Sequence, residues 1–307
     1  MATSVLAYKN FASGGYIVNL TSAWEVSAPM TNMLTPRLGQ KAIAATSGAM
    51  GVEVFINSGS PTLAAKIGVI AVLNHNIISL DDPTNFSIEA YFTDNSVSTL
   101  AGETDPAAFF NTVSTQQDGT FQSHFIWVPT GAEFLTKRVY KIRVAISGYP
   151  LAICGTQNPY TDELTVEKFS VGGIWFGPTF KPENGISIDG FAQGIADRSQ
   201  VVTSIGGQVW AEPEVRQRTA KVTFAGLFER EVYSRAPAQC LQQLAAYCGV
   251  SRPLLVIPTT SSDELVYTQA IYGYLSAPAA WNLIEKVDDN DVKTRLYSGG
   301  LEIVEAR

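Results

Sequence analysis

The sequence predicts a mainly β protein: an N-terminal β-sandwich of the jelly-roll type, followed by a second β domain, barrel or sandwich, carrying one packed helix. Three observations lead there. Short apolar or alternating runs recur along the chain and are separated by Gly, Pro and Asn. Only one stretch, 237–249, has convincing helical periodicity. Charged residues make up 16% of the chain, below the usual ~25%, so apolar surface is plentiful for a core or for contacts between chains.

Residues 1–48 carry few signals. Tyr16–Asn19 is a strand candidate, and the prolines of Ala28–Pro36 keep that stretch extended or turning rather than helical. Gly51–Ile56 is the next strand. The run Lys66–Ile77 is apolar without interruption until Asn74-His75-Asn76. A strand buried on both faces has this form, because neither face meets water. Phe86–Phe92 alternates, with Phe86, Ile88, Ala90 and Phe92 on one side and Ser87, Glu89 and Tyr91 on the other. Residues 94–120 are loop-like, with a turn of helix at Pro106–Phe110. Phe121–Val128 and Arg138–Ile146 are strands, the second with Ile142, Val144 and Ile146 inward and Lys141 and Arg143 outward. Strands joined in this way, with almost no helix between them, describe an antiparallel sandwich or jelly roll.

Gly and Pro become dense over 147–199, which reads as a connector with short strands at Leu164–Phe169 and Gly173–Phe176. The domain boundary is therefore expected near 180, giving units 1–180 and 181–307. The second unit opens with Ser199–Trp210, and Arg218–Leu227 alternates as a strand. In the helix, Pro237 suits the first turn and Gly249 the stop, while Leu241, Leu244, Ala245 and Cys248 form the apolar stripe. Leu254–Ile257, Val266–Leu275 and Lys293–Glu305 complete the strands.

Composition excludes several functions. The net charge is −7 and the Lys and Arg residues are scattered, so there is no basic stripe for nucleic acid. The longest apolar run is about eight residues, short of the ~20 that span a bilayer, so no membrane insertion is expected. Met1–Lys9 lacks a basic start and a signal-type core, which implies synthesis in the cytosol without processing. Cys240 and Cys248, about 12 Å apart along a helix, are beyond disulfide reach and read as free thiols. The third cysteine is Cys154.

Catalytic and metal signatures are missing. Only two histidines exist, His75 and His124, with no HExxH and no CxxC pair. There is no G-x-S-x-G elbow; Ser58-Gly-Ser60 reads as a turn, and a Cys154–His dyad is disfavoured. Ser204–Gly207 lacks the strand–GxGxxG–helix context of a phosphate loop. Asp288–Asp291 lacks the Gly and the bidentate Glu of a calcium loop and reads as a hairpin turn. No catalytic residue, metal ligand or cofactor is assigned, and the chain is not expected to be an enzyme.

The candidate contact site is Asn74, His75 and Asn76. A polar cluster at a strand end could bind a sugar or a partner. In the competing structural reading, which is favoured, the Asn side chains replace missing ladder hydrogen bonds and His75 packs under a loop. Trp127, Trp175, Phe176, Trp210 and Trp281 are platforms or anchors in the functional reading and core in the structural one.

Local phrases also carry a resemblance. The strand ending in Leu73-Asn-His-Asn76, the alternating strand after it and Tyr140–Ser147 (YKIRVAIS) resemble the galactose-binding-like jelly roll in tail proteins of long-tailed bacteriophages. Gly172–Ile186 (GGIWFGPTFKPENGI) is similar to the link in those proteins. After it come Asp197–Arg218, the KVTFAGL strand, the helix, Ser251–Pro258, Tyr272–Leu275 and Leu301–Glu305. Their order is similar to phage minor tail or distal-tail components and covers about 50–307. The resemblance implies a jelly roll followed by a tail-tube-like domain, in a structural subunit of the tail tip or baseplate. Made in the host cytoplasm and located in the virion, such a subunit would self-associate in a ring. It would contact tail-tube, tail-tip and fibre proteins, with a host surface glycan as a further partner. Two rivals are a receptor- or carbohydrate-binding tail module, and a glycan hydrolase using carboxylates such as Glu53, Asp82 and Glu89.

Overall fold

A computed structural model describes the chain apart from residues 1–3, 21–22, 46–49, 57–62, 80–85, 100–123, 147–152, 158–163, 188–189, 198, 204–208, 213–216, 234–239, 261–268, 290–291 and 307. The protein is mainly β, in antiparallel sheets. None of the described helices is long and apolar enough to cross a membrane.

The first unit is a sandwich. One sheet orders its strands Tyr16–Asn19, Met50–Phe55, Val139–Ile146, Phe86–Phe92 and Val97–Thr99. The other holds Gly173–Gly177, Val69–Leu73 and His124–Trp127. Inward residues of the first sheet, among them Val52, Val54, Ile88, Ala90, Ile142 and Val144, share one core with the second. Their outward neighbours Glu53, Glu89, Lys141 and Arg143 are partly exposed, as the alternation predicts. Val69–Leu73 lies between two partner strands and all five of its residues are buried, as its unbroken apolar run predicts.

The short strand expected at Gly173–Phe176, within the stretch read as a connector, is present and belongs to the core. Gly173–Gly177 is an interior strand, paired along its length with Val69–Leu73 and wholly buried. Its glycine marks close approach instead of a linker: a Cβ on Gly177 would collide with the Lys9 carbonyl oxygen.

The second unit is built on an eight-stranded sheet. Its order is Thr179–Phe180, Val5–Ala7, Leu254–Ile257, Ile271–Leu275, Val292–Glu305, Gln217–Phe228 and Phe191–Ala196, with Ala280–Asp289 also paired to Val292–Glu305. The N-terminal strand Val5–Ala7 inserts between Thr179–Phe180 and Leu254–Ile257, with Leu6 opposite both Phe180 and Val256. A boundary near 180 therefore cuts through this sheet, which takes residues 5–7 and 179–180 from the other side of it.

The middle strands are covered on both faces. Leu6, Leu254, Val256 and Ile271 pack into a core with the helix Leu241–Cys248. Val5, Ala7, Leu255, Ile257 and Tyr272 join the sandwich core, where Tyr272 meets Trp175 edge-on at 5.5 Å. The two units thus share an apolar seam.

The helix matches its predicted stripe: Leu241, Leu244 and Cys248 are buried, and Ala245 is half-buried. It is capped by Gly249 at φ +48°, which a side chain would disfavour. The second unit has a further one-turn helix, Glu229–Val232, where one was expected. Four residues are too few to show a helical period. Another short helix, Ala132–Thr136, follows His124–Trp127 in the sandwich. The strand Ala280–Asp289 was not expected at all; its register shifts between Leu283 and Glu285, and that bulge interrupts the alternation. Pro106–Phe110, Ser204–Gly207 and Ser58–Ser60 lie outside the described residues, as do Asp82 and the side chains of Cys154 and Trp210.

Candidate functional site

Asn74-His75-Asn76 is a joint between strands. Val69–Leu73 ends at Asn74, whose φ of +52° turns the chain out of the sheet in a conformation Asn tolerates. The Asn74 N–H donates to His124 Nδ1 at 3.1 Å, and its side-chain amide donates to the Leu38 carbonyl at 3.0 Å. Asn76 imitates a strand: its amide donates to the Lys168 carbonyl at 2.8 Å, and its Oδ1 accepts the Ser170 N–H at 2.7 Å. His75 Nδ1 accepts the Ile77 N–H at 3.3 Å.

All three residues are buried. Burial, helped by the charge of Lys41, lowers the His75 pKa to about 3, so the ring is neutral and able to accept. The triplet faces the chain's own backbone and offers no surface to a ligand. The structure brings His75 and His124 to the same joint, a convergence that their separation in sequence conceals.

The outer face of the five-stranded sheet holds the carboxylates that a hydrolase would need. Glu53 is paired with Lys141 at 2.7 Å, and Glu89 with Arg143 at 3.6 Å. Tyr91 donates to Glu89 at 2.6 Å, and Lys141 lies 3.8 Å from the Tyr91 ring centroid. Burial and the bond to Glu89 raise the Tyr91 pKa. Each carboxylate is thus neutralised across strands, which is the arrangement of a stabilising ladder. Among the described residues no group of three His, Cys, Asp or Glu could hold a metal ion.

The aromatics singled out in the sequence mostly pack. Trp175 and Phe176 are buried, and Trp127 meets Phe134 edge-on at 5.3 Å. Trp281 donates to the Tyr233 hydroxyl at 2.7 Å.

Two features were not legible. A cleft of about 510 Å³ opens where the sandwich meets the second unit, between Lys66–Gly68, Phe134–Leu135, Pro178–Lys181 and Arg230–Glu231. The large sheet also has two long strands at its margins. Among the described residues Phe191–Ala196 pairs on one side only; it contains no charged residue and is largely exposed, with Ile195 at 54%. On the other side of Val292–Glu305, Ala280–Asp289 pairs only with that strand among the described residues, and its Leu283 and Ile284 are exposed. Across this part of the sheet the four strands alternate in direction, so the two outer ones run oppositely.

No family model matches the chain, and no curated protein matches it. Among solved structures it is similar to CpGH89CBM32-4, produced by Clostridium perfringens, in complex with glcNAc-alpha-1,4-galactose. That likeness has 11% identity and a TM-score of 0.34, and it covers 55% of this chain and 94% of the other. At this level it carries no argument about ligand or activity.

Proposed function

We propose that the chain is a structural subunit that assembles edge to edge into a closed ring in a bacteriophage tail tip or baseplate. There it connects the tail tube to fibres or other baseplate proteins in the virion. The observation that carries assembly is the pair of outer strands flanking Gln217–Phe228 and Val292–Glu305, Phe191–Ala196 and Ala280–Asp289, each paired on one side only among the described residues.

A strand edge that stays in water is usually blunted with charge, because its unpaired N–H and C=O groups invite association. Phe191–Ala196 has no such charge. Since the outer strands run oppositely, one copy's Phe191–Ala196 meets another's Ala280–Asp289 in antiparallel sense. This contact is heterologous, and rotational repetition closes it into a ring. The order of sequence phrases supports the tail assignment. The paired state of Glu53 and Glu89 fits an assembly protein better than a hydrolase.

Light scattering after size exclusion tests the assembly. The unaltered chain is expected to form a closed oligomer. Ile195→Lys, a change at an exposed position, is expected to give monomers with unchanged circular dichroism. A chain that stays monomeric at high concentration would overturn the ring. Cryo-electron microscopy of virions tests the place: a collar at the tail tip is expected, and absence from the particle would remove the tail assignment.

A further inference from the structure

We infer that the cleft between the two units binds an acidic peptide segment of a partner protein, a carboxylate meeting Lys66, Lys181 and Arg230 while an aliphatic side chain covers Leu135. Three separate elements bring these cations to one cavity of about 510 Å³, a volume in the range of ligand sites and placed at an interface between units.

The charge in the cleft is unevenly engaged. Glu231 is buried, and its two oxygens accept the backbone N–H groups of Glu183 and Phe228, both at 2.7 Å. Glu183 is held by Arg230 at 2.6 Å. Glu231 is therefore fully engaged, and Glu183 is charge-paired through its Oε1. On the other side, Lys66 donates to the Leu135 carbonyl at 2.7 Å and keeps further N–H donors, and Lys181 is exposed with no ion pair among the described residues. The cleft offers donors and positive charge in excess of acceptors.

This balance decides the class of ligand. A sugar presents many hydroxyl donors and needs acceptors, and here Glu231 is engaged through both oxygens and Glu183 is paired with Arg230. A carboxylate is acceptor-only when ionised and matches the surplus. Leu135, an apolar side chain, is 69% exposed beside these cations. An acidic segment with an aliphatic residue satisfies both features at once. The inference is independent of ring formation, because neither Phe191–Ala196 nor Ala280–Asp289 lines the cleft.

The test uses the full chain with methyl-labelled Ile and Leu, titrated with acetyl-Glu-Leu-Glu-amide and observed by NMR. Saturable shifts are expected at Ile67 and Leu135, weakened by salt. Lys181→Glu and Lys66→Glu are each expected to weaken binding about tenfold. The control peptide acetyl-Gln-Leu-Gln-amide is expected to leave those methyls unmoved. Absence of shifts at millimolar peptide, or equal shifts with the neutral control, would overturn the inference. Tighter binding of glucuronate than of the acidic peptide would also overturn it, in favour of a sugar ligand. Light scattering on the same samples reports the ring separately, so loss of either reading leaves the other standing.

Discussion

At Asn76 a side chain stands in for a strand. Its amide and carbonyl take the places of ladder partners for Lys168 and Ser170. Asn76→Ala leaves the buried Ser170 N–H unmatched, at a cost of ~1–3 kcal/mol, and with it the part-buried Lys168 C=O. A loss of about 3 kcal/mol is expected in urea unfolding, and a loss below about 0.5 kcal/mol would show that water replaces the amide. His75 sets a pH dependence at the same joint. Its folded pKa is lowered to about 3, below the unfolded value of 6.5. Between those values the unfolded chain binds the extra proton, so stability is present above pH 6.5 and lost as pH falls towards 3. The slope contributed is at most ~1.4 kcal/mol per pH unit. His75→Gln is expected to flatten the pH profile of the urea midpoint over that window relative to the unaltered chain, while carboxylate titrations affect both alike.

Among elements, the ends of two long strands are tied by a buried ion pair. Arg218 on Gln217–Phe228 meets Glu305 on Val292–Glu305 at 2.6 Å, with side chains 6% and 0% exposed. The Arg218 Nε donates to the same carboxylate at 2.7 Å. Removing one partner strands a charge away from water, so Arg218→Met is expected to cost about 3–5 kcal/mol. The paired change with Glu305→Leu is expected to recover most of it, as measured by a double-mutant cycle in denaturant. A single change costing no more than the pair would show that water reaches the site. The margin strand behaves differently. Ile195 contributes little to the fold because it is already exposed, so Ile195→Lys separates assembly from stability.

For the whole molecule, the seam decides what can fold alone. Val5–Ala7 lies inside the sheet that the second half otherwise builds, and Val5, Ala7, Leu255, Ile257 and Tyr272 belong to the sandwich core. A fragment of residues 181–307 would expose that face and lack the two strands Thr179–Phe180 and Val5–Ala7. It is expected to give a poorly dispersed NMR spectrum, whereas the full chain melts in one calorimetric transition. A well-dispersed fragment would show that the sheet tolerates the loss of both its N-terminal strand and its cover.

What the sequence determined by itself is local. The unbroken apolar run marks Val69–Leu73 as buried on both faces, and alternation orients Glu89, Lys141 and Arg143 outward. A stripe at helical spacing marks Leu241–Cys248. Each of these signals repeats with the period of its own element, so a few residues suffice. The end of a strand at Asn74 was legible for the same reason. Where its side chains point was settled by Leu38, His124, Lys168 and Ser170, which arrive from distant parts of the chain. Only the tertiary structure decided that Val5–Ala7 enters the second sheet, since three residues show no period. It also decided that Gly173–Gly177 is an interior strand, since its Gly177 answers a close approach by Lys9 that no local pattern encodes. The sheet margins and the cleft belong to the same class: both depend on which strands and cations meet, and pairing between distant segments leaves no periodic trace in either partner.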